Sequence, residues 1–255
     1  MIKACYISNT GKVRSNNEDC LLLNDLLLSG AEMTDAECLE SGGTKSVYCV
    51  ADGMGGHLKG ELASRTVLEV IRTSYTRAET AEDIRDVLSS AKKELDNIAR
   101  ADRESHGLGS TVSGMMLIKD RAIVFNCGDS RVYSTGGESL RKLTRDHSVV
   151  QELVDAGIIS EDDMRTHPKK NIITSSLMGD LNERLPEMYF KEIRPEKHQR
   201  FLLCTDGVWE SMSAAQMEKC VAAKELKDAA YCLFDRTMEN GATDNLSFIL
   251  LEKAG

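Results

Sequence analysis

Short apolar runs recur along the chain, and three of them stop abruptly at an aspartate beside a glycine: Ala-Asp-Gly at Asp52, Gly-Asp at Asp129 and Thr-Asp-Gly at Asp206. Runs of about four to seven residues rich in Val, Ile, Phe and Leu predict buried strands, because a helix needs a longer apolar stripe. The same pattern predicts strands over 3–8, 21–28, 111–118, 131–134, 141–143, 187–193 and 246–251. Thr135-Gly136-Gly137 lies between two of these and supplies the positive-φ residues of a tight hairpin, so the strands are expected to pair antiparallel.

Helices stand out by a different period. Ile84, Val87, Leu88, Ala91, Leu95, Ile98 and Ala99 form one apolar stripe. Thr80 followed three residues later by Asp83 has the form of a capping box that starts this helix. Further helices are predicted over 60–75, 148–156, 213–222 and 225–239, with a short one after Ser160. Strands and helices come in clusters and do not alternate strictly, which favours an α+β domain of antiparallel sheets covered by helices over a doubly wound parallel sheet. Residues 29–45 and 147–180 read as excursions between strands.

Composition narrows the class. A chain of 255 residues, 41% hydrophobic and 29% charged with only 3 Pro, is expected to fold as an ordinary globular protein. Its formal net charge of -9 disfavours nucleic acid as a partner. Eight Cys show no C-x-x-C pair and mostly sit inside apolar runs, so they read as structural thiols of a reducing, cytoplasmic protein. No uncharged apolar run approaches the roughly 20 residues of a membrane span, and residues 1–12 lack the apolar stretch of a signal peptide, so a soluble chain is expected.

Several chemistries fail on spacing. Gly42-Gly43-Thr44-Lys45-Ser46 lacks the upstream Gly of a P-loop. No Cys is followed six positions later by Arg, as a thiolate phosphatase requires, and no G-x-S-x-G elbow is present. The five His show no zinc-binding spacing. What remains is acidic: Glu18 and Asp19, Asp52, Asp129, Asp206 and Asp244, most of them beside Gly or at a strand end.

Any one Asp-Gly pair is an ordinary turn. The full set offers only oxygen ligands, which suit Mg2+ or Mn2+ and not a soft metal. Two carboxylates about 4 Å apart repel by roughly 4 kcal/mol at an effective dielectric near 20. Gathering several therefore calls for cations, and a pair of divalent ions balances four aspartates while acidifying a water between them.

The ordered series GxxRxxNED, VADGMGGHxxGxxAS, GST, NCGDSRVY, LTRDHSVVQELVDAG, HPKKNIIT, LLCTDGVWE and DNLSFILLE resembles the metal-dependent, type 2C family of protein serine/threonine phosphatases, in its bacterial branch, over residues 11–252. The resemblance implies a four-layer αββα sandwich forming one catalytic domain over 1–255, with a flap at about 144–180 that takes part in substrate selection. It implies that Asp52 bridges two core ions, Mn2+ or Mg2+. The Gly53 carbonyl, Asp206 and Asp244 then join it as ligands, and Asp19 touches the ions partly through water, with Glu18 its neighbour. Asp129 with Asp206 would hold a third, weaker ion, and Arg14 would grip the substrate phosphate. The implied reaction is in-line attack of a metal-bridging hydroxide on phosphoserine or phosphothreonine, with no covalent enzyme intermediate.

The branch carries Met54 where eukaryotic relatives have a His, which leaves the general acid open between His57 and a water. Trp209 is expected to pack near the Asp206 turn, and His167-Pro168 reads equally as loop punctuation. The implied partners are phosphorylated proteins made by a serine/threonine kinase, met by a monomer in the cytoplasm. Two rival readings are a phosphoprotein-binding module without turnover, which a replaced ligand Asp would favour, and a narrow regulatory phosphatase, whose relatives often lack the flap.

Overall fold

The computed structural model describes residues 1–55, 59–136 and 139–254. Its first half runs β1 (Ile2–Asn9), β2 (Asp19–Leu23), β3 (Leu26–Ser29), β4 (Glu37–Ser41), β5 (Lys45–Met54), α1 (Lys59–Ser74), α2 (Ala81–Ala101), β6 (Gly109–Ser110), β7 (Val112–Ile118) and β8 (Arg121–Cys127). The second half runs β9 (Arg131–Gly136), β10 (Ser139–Lys142), α3 (Val149–Asp155), β11 (Leu177–Met178), β12 (Tyr189–Ile193), β13 (Arg200–Cys204), α4 (Asp206–Trp209), α5 (Ala214–Val221), α6 (Leu226–Glu239) and β14 (Leu246–Lys253). One sheet has the order β10-β9-β13-β14-β1-β4, and the other β11-β6-β5-β7-β8-β12, with β2 paired to β5 and β3 paired to β2. The strand pairs are antiparallel, as the hairpin signal predicts.

Period-two alternation on each strand builds the layers. On β14, Phe248 and Leu250 face a helical layer with α5 and α6, while Ile249 and Leu251 turn inward. On β5, Val47, Cys49 and Ala51 lie under α1 and α2, while Tyr48 and Val50 face the other sheet. Both faces of these strands are covered, which is why the sequence shows continuous apolar runs and not an apolar-polar alternation. Three buried clusters result, one between the sheets and one under each helical layer, giving the expected four-layer sandwich. Burying a side chain such as Phe201 or Phe248 contributes about 1.5–3 kcal/mol.

The Thr80 capping box forms as predicted: its side chain accepts from the Asp83 N–H while the Asp83 carboxylate accepts from the Thr80 N–H at 2.9 Å. The run 21–28 is not one strand but a hairpin, broken at Asn24, whose φ of 57° sits in the left-handed region. β9 and β10 pair antiparallel with Ser139 opposite Gly136, and residues 137–138, on which the predicted Thr135-Gly136-Gly137 turn falls, lie outside the described ones. Part of the 29–45 excursion forms an edge strand, β4, against β1.

The cysteines depart from expectation. Cys5 and Cys38 stand directly opposite each other in the β1–β4 pair and form a disulfide, and Cys220 of α5 is joined to Cys232 of α6. Cys20, Cys49, Cys127 and Cys204 are buried free thiols. Strand register and helix packing create these pairs, and neither is visible in cysteine spacing. Among the described residues no helix is long and apolar enough to cross a membrane.

Candidate metal centre

Strand pairing brings the first two aspartates together. Asp19 opens β2 and is the register partner of Asp52 on β5. The Asp52 N–H donates to Thr111 Oγ1 at 3.0 Å, and its carbonyl accepts from the Thr111 N–H at 2.8 Å, so the backbone there is clamped from the β6–β7 side. Asp129 follows β8 after Gly128, and Asp206 is the first residue of α4 after β13. Asp244 lies in the loop before β14.

Two glycines let these loops touch. A Cβ at Gly53 would lie 1.9 Å from the Gly60 carbonyl oxygen, and one at Gly207 would lie 1.9 Å from that of Asn245. Only Gly permits the Asp52 strand end to sit on the start of α1, and the Asp206 turn to sit on the Asp244 loop.

A buried layer of amides and hydroxyls fixes the rest. Asn245 Nδ2 donates to the carbonyls of Thr10 and Asn16, and its Oδ1 accepts from the Glu18 N–H at 2.9 Å. Asn17 Oδ1 accepts from the Asp19 N–H, and Thr205 Oγ1 donates to Asp19 Oδ2 at 2.8 Å. Sequence motifs flag Asn17 and Asn245 only as neighbours of acids, and nothing in spacing shows that they stitch distant loops together.

Electrostatics show convergence. Burial raises the Asp52 carboxyl well above the usual range, and the charges of Asp206, Asp19, Asp129 and Asp244 raise it further. Asp206 is raised the same way, by burial and then by Asp129 and Asp244. Asp19 and Asp129 are pushed up to about 7, again with burial the largest cause. Asp19 Oδ1, Asp129 Oδ1 and Asp206 Oδ1 are buried without a hydrogen-bond partner. Buried polar atoms are nearly always satisfied, so orphaned acceptors at like-charged groups fit a site that takes a cation.

The side chains share one field without clasping an ion site: no three His, Cys, Asp or Glu among the described residues stand together at ligand spacing. Arg14 is not free either, since its Nη2 donates to Asp244 Oδ2 at 2.7 Å. Glu18 is raised by burial, and its carboxyl carbon would lie 2.6 Å from a Cβ at Gly60, at the edge of the same basin. His57 lies outside the described residues.

Glu210, absent from the acidic residues singled out in the sequence, joins the set. It follows Trp209, its Oε1 is buried and unpartnered, and its charge raises Asp129 and Asp206, while Lys170 pairs with its other oxygen. Its proximity to Asp206 in the LLCTDGVWE stretch was the available signal. Trp209 is buried at the end of α4, as expected from its place in the sequence, and donates to the Asp129 carbonyl at 3.0 Å.

Known proteins resemble this chain in sequence and fold. The serine/threonine phosphatase stp of Listeria monocytogenes is 28% identical over 97% of this chain and 94% of its own length. The serine/threonine phosphatase Stp1 of Staphylococcus aureus superposes with a TM-score of 0.82 at 26% identity, covering 100% of this chain and 96% of that one. The catalytic domain of the phosphatase PstP, crystallised in complex with 2 manganese ions, shares the fold with a TM-score of 0.78 at 23% identity over 100% of both chains. The family model described as protein phosphatase 2C matches residues 29–250, and the chain belongs to that family.

Proposed function

We propose that this metal-dependent protein phosphatase removes phosphate from phosphoserine and phosphothreonine in proteins at the basin formed by Asp19, Asp52, Asp129, Asp206 and Asp244. The orphaned buried oxygens of Asp19, Asp129 and Asp206 carry the reading. Asp52, the Gly53 carbonyl, Asp206 and Asp244 would hold two core ions, with Asp19 partly through water, and Asp129 with Asp206 a third. Divalent ions supply Lewis acidity, which neutralises phosphate oxygens and lowers the pKa of water. The manganese in the PstP catalytic domain favours Mn2+, with Mg2+ equally matched to all-oxygen ligands.

The chain's own residues supply binding and geometry. The Arg14 guanidinium is a planar fork that suits a phosphate, and its exposure on the rim leaves it reachable. The Asn17, Asn245 and Thr205 hydrogen bonds keep the carboxylates from drifting apart under their own repulsion. The segment 144–180, anchored by Lys170 on Glu210, is the flap that selects substrates. Action as a monomer on kinase-phosphorylated proteins completes the proposal.

The test is hydrolysis of a small phosphate ester and of phosphopeptides with Mn2+ or Mg2+, with and without chelator, beside Asp206→Ala. Loss of turnover in both the chelated and the substituted protein is expected. Activity that survives either treatment overturns the site, and phosphopeptide binding without any turnover would favour a binding module.

A further inference from the structure

One buried pair outside the acidic basin is aimed at it. Asp146 is fully buried, and its Oδ2 accepts from both Arg131 Nε at 2.9 Å and Nη2 at 2.6 Å. Arg131 is buried as well, and its Nη1 donates to the Tyr133 hydroxyl at 3.0 Å. The guanidinium carbon lies 3.4 Å from the centre of the Trp209 ring. That indole in turn donates to the Asp129 carbonyl, and it ends the helix that Asp206 begins.

We propose that Asp146 is a positioning residue for the ion basin, acting through Arg131 and Trp209 to fix the main chain at Asp129 and the turn at Asp206. The proposal rests on the assignment of those two aspartates to the ion site. A pair that only filled the core has no reason to place its guanidinium on the one indole that grips Asp129. Without the Asp146 carboxylate, Arg131 is a buried charge lacking its partner beside a second cation, Lys142, whose Nζ lies 3.7 Å from Asp146 Oδ1, and it must shift toward water or another acid. Either movement releases the Trp209 ring. Asp146 and Met164, whose sulfur lies 3.9 Å from Arg131 Nη2, both belong to 144–180, so seating of this segment and the geometry of Asp129 depend on the same guanidinium.

The chain has a single Trp, so its emission reads this contact directly. Mn2+ is titrated into wild type, Asp146→Asn, Arg131→Lys and Trp209→Phe, followed by calorimetry and, where Trp209 remains, by its emission. Leu203→Ala, a buried change between the sheets, supplies a control that loses stability without touching the chain of contacts. Asp146→Asn is expected to weaken the weaker Mn2+ step at least 10-fold and to blunt the emission change. Trp209→Phe is expected to weaken it similarly, and the double variant no further. Arg131→Lys gives the same reading if Asp146→Asn fails to fold. Wild-type Mn2+ affinity and emission in Asp146→Asn, or an equal loss of affinity in Leu203→Ala, would overturn the proposal alone. A wild type that binds no Mn2+ overturns the ion assignment and this proposal with it.

Discussion

Arg14 Nη2 donates to Asp244 Oδ2 at 2.7 Å across 230 positions of chain, so the residue proposed to hold the substrate sits on one proposed to hold an ion. Both side chains are partly exposed, and such a pair is worth about 0–1 kcal/mol, which lets either partner be exchanged. Arg14→Ala is expected to raise KM for a phosphopeptide roughly 10- to 100-fold, the loss of a charge-assisted contact worth about 1.5–3 kcal/mol. Mn2+ affinity should rise in the same variant, by no more than about 5-fold, because Asp244 loses a competitor. Steady-state kinetics and calorimetry read the two effects separately. An unchanged KM would remove Arg14 from substrate binding.

Ion-free protein should lose stability as pH rises. A carboxyl with a higher pKa folded than unfolded binds more protons in the folded chain between those values, so stability falls through that window and is level above it. For Asp19 and Asp129 the window opens near the unfolded value of about 3.9 and closes at about 7. The chelator-treated protein is expected to melt lower at pH 8 than at pH 5, and saturating Mn2+ to abolish that fall by favouring the ionised forms. A chelated melting temperature that climbs steadily over this range contradicts the burial of these carboxylates.

The basin was legible in sequence to the extent that strand ends write it. Asp52, Asp129 and Asp206 each close an apolar run, and a chain that buries both faces of a strand must place its first charged residue where the sheet stops. Asp244 and Asp19 were legible through the family motifs, and geometry adds that Asp19 is the register partner of Asp52. Hidden from sequence were the contacts made across the sheets. Asp146 and Arg131 are 15 positions apart with no shared element, and only the packing of Trp209 between them and Asp129 gives them a role. Cys5 and Cys38 were likewise unreadable, because their pairing follows from the register of an edge strand that falls in an acidic excursion.

Close approach makes Gly53 and Gly207 intolerant of a single methyl. With a carbonyl oxygen 1.9 Å from the added carbon at either position, Gly53→Ala and Gly207→Ala must push the backbone apart at the basin. Overpacking of this kind costs about 1–3 kcal/mol. Thermal melts should show that loss, and Mn2+-dependent turnover should fall further than the unfolded fraction accounts for. An Ala variant at Gly207 with normal turnover would mean that the Asp206 turn and the Asp244 loop need not touch.

The disulfides can be counted. Protein denatured without reductant is expected to expose four thiols to an alkylating reagent, those of Cys20, Cys49, Cys127 and Cys204, and eight after reduction. Reduction should lower the melting temperature, since closing loops of 33 and 12 residues is worth roughly 3 to 4 kcal/mol each on a chain-entropy view. Eight thiols before reduction would instead match the reducing cytoplasm.

Lys170 and Glu210 provide the last test. Lys170 pairs with one oxygen of Glu210, whose other oxygen is buried beside the charges of Asp129 and Asp206. Lys170→Ala leaves that carboxylate uncompensated among its neighbours, between the regimes of an exposed pair and a buried one, for a loss of about 1–2 kcal/mol in the chelated protein. The added negative field should tighten Mn2+ binding about 2- to 5-fold, and Lys170→Arg should restore both values. The two effects have opposite signs, which separates them from general loosening of the fold, where stability and affinity fall together. If neither moves, Lys170 contributes no charge to the basin, and the anchoring of 144–180 there loses its support.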